Sequence, residues 1–137
     1  SVAFHMHQQL SKGKDIELFG EYDGFKAGKQ SRDFIYVDDV IDVNIWFMRN
    51  QNASGIFNVG TGKSQTFDEV ADAVIKWNKK GKISYIPFPE NLKGSYQSYT
   101  QADISKLREC GYEKPFRDVQ SGVKSYLDNF STWPKNE

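Results

Sequence analysis

Residues 55–89, GIFNVGTGKSQTFDEVADAVIKWNKKGKISYIPFP, decide the fold class of this chain. They indicate a short apolar strand at 55–60, then a turn, a helix, and a second strand at 83–89 that two prolines end. The helix has the clearest boundaries, because Thr66 and Glu69 have the spacing of a capping box and Gly81 follows its last apolar turn. Helices that alternate with short strands predict an α/β fold.

The sequence before this segment continues the alternation. Residues 1–14, SVAFHMHQQLSKGK, predict a helix that ends near Gly13, and IELF at 16–19 predicts a strand. Residues 20–31 contain three glycines among mostly polar residues and predict a mobile loop. RDFIYV at 32–37 then predicts another strand.

Three more helices are expected from caps and apolar periodicity. The helix after RDFIYV is predicted to begin at Asp38 or Asp39 as its cap and to be largely buried, because apolar residues cover most of its surface. Asp103 is predicted to cap a short helix that ends at Gly111. Apolar spacing over 119–130 predicts a last amphipathic helix.

Composition limits the class of protein. The chain has 137 residues, and its 18 Lys and Arg balance 18 Asp and Glu, so no basic field favours a nucleic-acid partner. A 38% hydrophobic and 15% aromatic content excludes a disordered chain. No apolar run reaches the roughly 20 residues that cross a bilayer, so we expect a soluble, cytoplasmic protein without a membrane partner. The single cysteine, Cys110, suits a reducing compartment.

The start of the chain is unusual. Its first residue is Ser1 rather than Met, and a helical pattern follows at once with no cap ahead of it. We therefore expect one domain that is the later part of a longer protein.

The segment NVGTGKS at 58–64 partly matches a phosphate-binding loop. That motif requires a glycine five residues before the glycine of GKS, and Phe57 occupies this position. The sequence therefore favours an ordinary tight turn between a strand and a helix.

Two other pairs have catalytic or metal-binding residue types but the wrong context. Tyr22 and Lys26 have Tyr-x-x-x-Lys spacing, yet they lie in the glycine-containing loop, where that spacing fixes no geometry. His5 and His7 project from different faces of a helix, which argues against a shared metal ion. His5 alone is equally consistent with a packed histidine and with a polar ligand contact.

Arg32 and the tyrosines of KGSYQSYT at 93–100 are the stronger binding candidates. A guanidinium at a strand start can bind a diphosphate with parallel N–H bonds. A salt bridge to Asp33 or Asp38 explains Arg32 equally well. Tyr96 suits a sugar or base contact, and ordinary loop packing is the alternative.

Longer stretches carry a family resemblance. RDFIYVDDV at 32–40, followed by a helix and GIFNVGTG, resembles the second half of the extended short-chain dehydrogenase/reductase family of nucleotide-sugar epimerases and dehydratases. SVAFH at 1–5, SGIFNVGTGKSQTFDEVADAV at 54–74 and ISYIPFPENLKGSYQSYTQADISKLRECGYEKPF at 83–116 resemble the ADP-L-glycero-D-manno-heptose 6-epimerase branch of that family.

The resemblance implies a two-domain parent. In this family an N-terminal NAD(P)-binding Rossmann domain precedes a smaller substrate domain. Residues 1–137 would be a single C-terminal substrate-binding region, with some elements that pack onto the Rossmann domain, most of which would be absent. The catalytic Tyr-x-x-x-Lys and the dinucleotide fingerprint would precede the region, so the resemblance implies no catalytic, cofactor-binding or metal-binding residue in this chain.

The resemblance also implies a substrate and its contacts. By position, the residues that would bind the ADP-sugar are His5, Phe19, Gly20, Glu21, Tyr22, Arg32 and Tyr96. The reaction would invert C6 of ADP-D-glycero-D-manno-heptose with NADP, for the inner core of lipopolysaccharide, in a protein expected to be a homo-oligomer. A sister epimerase or dehydratase and a non-catalytic ADP-sugar-binding module are the alternatives.

Overall fold

The computed structural model of the chain describes residues 1–132, so the last residues of the expected 1–137 region lie outside it. The described part confirms the α/β prediction. Its elements, in chain order, are α1 (Val2–Ser11), β1 (Ile16–Phe19), β2 (Ser31–Arg32), α2 (Val37–Arg49), β3 (Gln65–Thr66), α3 (Phe67–Asn78), β4 (Ile83–Ile86), a 3₁₀ turn (Glu90–Leu92), α4 (Ser105–Glu109) and α5 (Val119–Thr132).

The strands form two small sheets. β1 and β4 pair in parallel, with Ile16 opposite Ile83 and Phe19 opposite Ile86. β2 and β3 pair antiparallel, and Ser31 also bridges to Tyr99. The second sheet therefore brings the segment around Arg32 close to the start of α3 and to the KGSYQSYT segment.

Most of the apolar core lies where α1, α3 and α5 pack around β1. Ile16, Val74 and Leu127 are fully buried there. A smaller cluster under α2 contains the buried side chains of Val43 and Leu107. Burial of such side chains stabilises the fold by about 1.5–3 kcal/mol each.

The helix predicted with most detail is confirmed. Thr66 accepts a hydrogen bond from the Glu69 amide and the Glu69 carboxylate accepts one from the Thr66 amide, which is the complete capping box. The helix ends at Asn78, before Gly81, because Lys79 takes the left-handed conformation with φ of 57°. The predicted first and last helices and the strand at 16–19 are also present, and the strand predicted over 83–89 is present over Ile83–Ile86.

Two predicted strands are wrong over most of their length. Of RDFIYV, only Arg32 lies in a strand, and residues 55–60 form none. The strand ends before Asp33, because the Asp33 carboxylate accepts hydrogen bonds from the amides of Thr61 and Ala102 in other segments. Residues 55–60 are instead held by side chains, since Lys106 Nζ donates to the Ile56 carbonyl at 2.9 Å.

The predictions for α2 also need correction. Its N-cap is Tyr36 without a side-chain cap, and Asp39 lies inside the helix, where it pairs with Arg117. The helix is not largely buried, because it packs through one face only. Four apolar side chains are exposed: Val37, Ile41, Ile45 and Met48.

Two remaining predictions have mixed outcomes. The short helix α4 has Ile104 at its N-cap, and Asp103 accepts a hydrogen bond from the Ser105 amide at 2.9 Å. In the 20–31 loop, Gly28 and Gln30 are buried, so this part of the segment packs against the fold.

Among residues 1–132, no helix is long and apolar enough to cross a membrane.

Candidate functional site

A pocket beside β1 gathers several of the predicted site residues. Its volume is about 180 Å³, and its lining includes His5, Phe19 and Tyr96. α1 supplies His5, the end of β1 supplies Phe19, and the segment after the 3₁₀ turn supplies Tyr96. Three distant stretches of sequence therefore meet at one concave surface.

Aromatic rings form one wall of this pocket. The ring centroids of Phe19 and Tyr96 are 5.9 Å apart, and each ring lies edge-on to Phe88 at 5.3 and 5.2 Å. Tyr22 stacks on the outer face of this cluster, with its ring 3.9 Å from that of Phe88. The Tyr22 hydroxyl accepts a hydrogen bond from the Gly94 amide at 2.6 Å. Each pair of aromatic rings adds about 0.5–1.5 kcal/mol of stability and fixes the orientation of the two rings.

Arg32 borders the same wall. Its guanidinium carbon lies 5.0 Å from the centroid of the Tyr96 ring and 6.0 Å from that of Phe67. One N–H group donates to the Ser31 carbonyl at 3.0 Å. Among the described residues Arg32 forms no ion pair, so the salt-bridge explanation with Asp33 or Asp38 is wrong. A guanidinium held by aromatic faces keeps its remaining donors for an anionic ligand.

Tyr96 carries a neutral phenol beside this cation. Burial raises the pKa of Tyr96, and the Arg32 charge lowers it by a smaller amount. The net shift is upward, so the phenol stays protonated at neutral pH. It can therefore donate a hydrogen bond to a ligand oxygen.

The remaining predicted residues surround the strand end. Gly20 donates its amide to the Ile86 carbonyl at 2.7 Å, and a side chain at this position would meet that oxygen at 3.0 Å. Its own carbonyl accepts a hydrogen bond from Gln30 at 2.9 Å. Glu21 is exposed at the start of the loop and is not among the residues that line the pocket.

The turn after residue 58 does not provide a phosphate cradle. The Asp33 carboxylate accepts hydrogen bonds from the Thr61 amide at 2.7 Å, the Thr61 hydroxyl at 2.6 Å and the Gly62 amide at 2.9 Å. It also accepts one from the Ala102 amide at 3.0 Å. The amides of this turn therefore bind an internal carboxylate, which favours an ordinary turn over a phosphate-binding loop, although residues 55–60 before it form no strand.

The structure also shows the surroundings of the other two residue pairs. Tyr22 and Lys26 lie in a loop in which Tyr22 bridges to Phe25, not on a helix. His7 Nδ1 lies 3.1 Å from Asn78 Oδ1, so this histidine links α1 to α3. No group of three or more metal-ligating side chains occurs within residues 1–132.

Sequence reasoning missed most of the other residues that line the pocket, and Gln30 and Phe67 are two of them. Gln30 is 1% exposed and lines it, and Phe67 lines it at the first turn of α3. The capping box at Thr66 locates Phe67 on the helix but not its contact with Arg32. Gln30 had no signal, since it is a polar residue in a polar loop.

A second, more apolar pocket of about 240 Å³ lies on the other side of Val2, between residues 34–37 and α5. Its polar lining side chains are few and include Asp118. None of the predicted ligand-binding residues lines it. The pocket beside β1 is therefore the better candidate for a polar ligand.

Comparison with known proteins gives a partial match to a family model and several similar solved structures. The model of the NAD dependent epimerase/dehydratase family matches residues 1–60. The solved structure of the Helicobacter pylori ADP-L-glycero-D-manno-heptose-6-epimerase is similar, with 29% identity and a TM-score of 0.75 over 97% of this chain and 38% of that one.

Two UDP-sugar enzymes are similar to almost the same degree. The Campylobacter jejuni UDP-Glc/GlcNAc 4-epimerase has 27% identity and a TM-score of 0.72, over 93% of this chain and 39% of that one. The Thermus thermophilus UDP-glucose 4-epimerase, a complex with NAD, has 25% identity and a TM-score of 0.74, over 96% and 40%.

The chain spans about two fifths of the length of these structures. Their names differ in nucleotide and in sugar, so they share the fold and the class of enzyme rather than one substrate. The chain thus has the fold of part of an extended short-chain dehydrogenase/reductase epimerase.

Proposed function

We propose that this chain is the substrate-binding part of an ADP-L-glycero-D-manno-heptose 6-epimerase. The complete protein would invert C6 of ADP-D-glycero-D-manno-heptose by transient oxidation and reduction, and the product would serve the inner core of lipopolysaccharide. The resemblance over residues 83–116 favours this substrate. A homo-oligomeric state belongs to the same proposal.

The observation that carries the proposal is the arrangement of Arg32 and Tyr96. Arg32 forms no ion pair within the described chain and lies against the Tyr96 ring, next to a pocket with aromatic and polar walls. The diphosphate of a nucleotide sugar carries negative charge and accepts parallel N–H bonds from a guanidinium. Its base and sugar present faces that pack on aromatic rings.

Each predicted residue has a role in this proposal. Arg32 binds the diphosphate, and the Tyr96 hydroxyl donates to a phosphate or sugar oxygen. Phe19 and the backbone at Gly20 contact the nucleotide, while His5 supplies a polar contact from α1. Glu21 and Tyr22 lie at the outer rim of this site.

The implied cofactor is NADP, and the glycine turn at 60–62 does not fit its phosphates. The glycine turn that most resembles a dinucleotide cradle has its Thr61 and Gly62 amides bonded to Asp33. The proposal therefore places NADP, and the catalytic tyrosine and lysine, in other parts of the complete protein. This chain would bind and orient the substrate.

Turnover by the product of the complete gene tests the proposal. The purified protein is incubated with ADP-D-glycero-D-manno-heptose, UDP-glucose, UDP-N-acetylglucosamine and dTDP-glucose, and the products are separated by anion exchange. Conversion of the ADP-heptose alone is expected. Conversion of another sugar would identify a sister epimerase or dehydratase, and ADP binding without any turnover would favour a binding module.

A further inference from the structure

The segment that carries Gln30 is attached to the start of α3 by an ionic cluster. Lys29 Nζ lies 2.7 Å from Asp68 Oδ2, and the Tyr85 hydroxyl donates to Asp68 Oδ1 at 3.1 Å. Asp68 is 7% exposed, and each oxygen of this buried carboxylate has one of these two partners. We call Lys29, Asp68 and Tyr85 the latch.

Backbone hydrogen bonds reinforce the latch. The amides of Phe67 and Asp68, at the start of α3, donate to the carbonyls of Gln30 and Gly28, each at 3.1 Å. Loop carbonyls thereby satisfy two helix amides that have no partner within the helix. The latch therefore lies where the loop docks onto the helix.

Gly28 shows how closely the loop approaches Asp68. Its φ is +71°, and a Cβ at this position would lie 1.9 Å from Asp68 Oδ1. Only glycine fits both the conformation and the space. The contact is thus specific in geometry and not only in charge.

The latch is connected to three residues that line the pocket. The Gly28 amide donates to the carbonyl of Phe19 at 3.0 Å. Gln30 follows Lys29 directly, and Phe67 precedes Asp68. Movement of the latch would therefore shift two walls of the pocket, although none of its side chains lines it.

We propose that Asp68, held between Lys29 and Tyr85, is a positioning residue that keeps Phe19, Gln30 and Phe67 in the geometry that binds the nucleotide sugar. This inference rests on the proposed function for its ligand. In this proposal the latch side chains do not contact the substrate. The hydrogen bond and charge of Asp68 raise the pKa of Lys29, so Lys29 keeps its charge at neutral pH.

The test measures ADP affinity and amide exchange in the same variants of the product of the complete gene. Asp68→Asn and Lys29→Met are each expected to weaken ADP binding about tenfold, which corresponds to about 1.4 kcal/mol. The double variant is expected to match Asp68→Asn alone, because both changes break the same contact. Lys29→Arg should restore most of the affinity, and the exposed Asp72→Asn is the matched control.

Hydrogen exchange at the amides of Gly28 and Phe67 measures the opening of the latch region in the absence of any ligand. Exchange at both is expected to speed up in Asp68→Asn and in Lys29→Met while the melting temperature of Lys29→Met stays near that of the wild type. If Asp68→Asn fails to fold, Lys29→Met and Tyr85→Phe provide the same comparison from exposed positions.

The outcomes separate the two proposals. Wild-type protein that binds ADP, with unchanged affinity and unchanged exchange in the latch variants, would overturn the latch alone. A wild type that does not bind ADP would overturn the proposed function and, with it, the role of the latch.

Discussion

The Asp33 carboxylate gives the sharpest prediction for stability, because it accepts four hydrogen bonds from two segments of the chain. In Asp33→Asn, the amide keeps one acceptor oxygen and turns an NH₂ group toward two former donors. If the oxygen stays beside Thr61, the backbone amides of Gly62 and Ala102 both lose their acceptor. At about 1–3 kcal/mol for each of these two unsatisfied donors, we expect a loss of about 2–6 kcal/mol.

Urea unfolding followed by circular dichroism measures this loss, with Asp72→Asn as the matched control on an exposed face of α3. The control is expected to stay within about 0.5 kcal/mol of the wild type. A loss below about 1 kcal/mol for Asp33→Asn, with the control unchanged, would refute the assignment of Asp33 as the residue that joins the two segments.

Other predictions concern the turn and the capping box. Gly60→Ala would place a Cβ 2.6 Å from that of Ala102 and 2.7 Å from Asp33 Oδ2, so urea unfolding should show a loss of about 1–3 kcal/mol. Thr66→Ala is expected to cost about 1 kcal/mol and Thr66→Ser much less, and equal losses would contradict the hydroxyl cap. Burial raises the pKa of Glu69, but hydrogen bonds from Thr66 and Gln65 outweigh it and lower the pKa below 4.5. The stability from Glu69 is therefore present above pH 4.5 and is lost as pH falls through the folded pKa, and acid titration of Glu69→Gln should show a smaller loss than the wild type.

Local signals in the sequence predicted the helices best. The capping box of Thr66 and Glu69 involves residues three apart, so its geometry follows from the local sequence. The same holds for the amphipathic α5. These elements were correct because their stabilising contacts depend on short spacings.

Features that depend on distant contacts were predicted worst. RDFIYV alternates as a strand does, yet Asp33 binds amides 28 and 69 residues away and leaves the ladder. Asp39 has the chemistry of a cap but pairs with Arg117, 78 residues away. The exposed face of α2 was missed because an apolar surface in the sequence does not indicate which side packs.

The candidate site was predicted only in part, because some of its residues come together through distant contacts. Position in a family resemblance indicated His5, Phe19 and Tyr96, and the structure brings them to one pocket. Gln30 was missed because its burial and its hydrogen bond to Gly20 arise only when the loop docks on α3. Their contacts with substrate stay a prediction.

Calorimetric titration of the product of the complete gene with ADP tests whether Arg32 binds the diphosphate of the nucleotide. Arg32→Gln is expected to weaken ADP about 10–100-fold, because a charge-assisted hydrogen bond contributes about 1.5–3 kcal/mol. The melting temperature should change little, since Arg32 forms no ion pair within residues 1–132. Arg49→Gln, at an exposed arginine in the last turn of α2, is the control and should bind ADP as the wild type does. Equal ADP affinity for the wild type and Arg32→Gln would contradict diphosphate binding by Arg32.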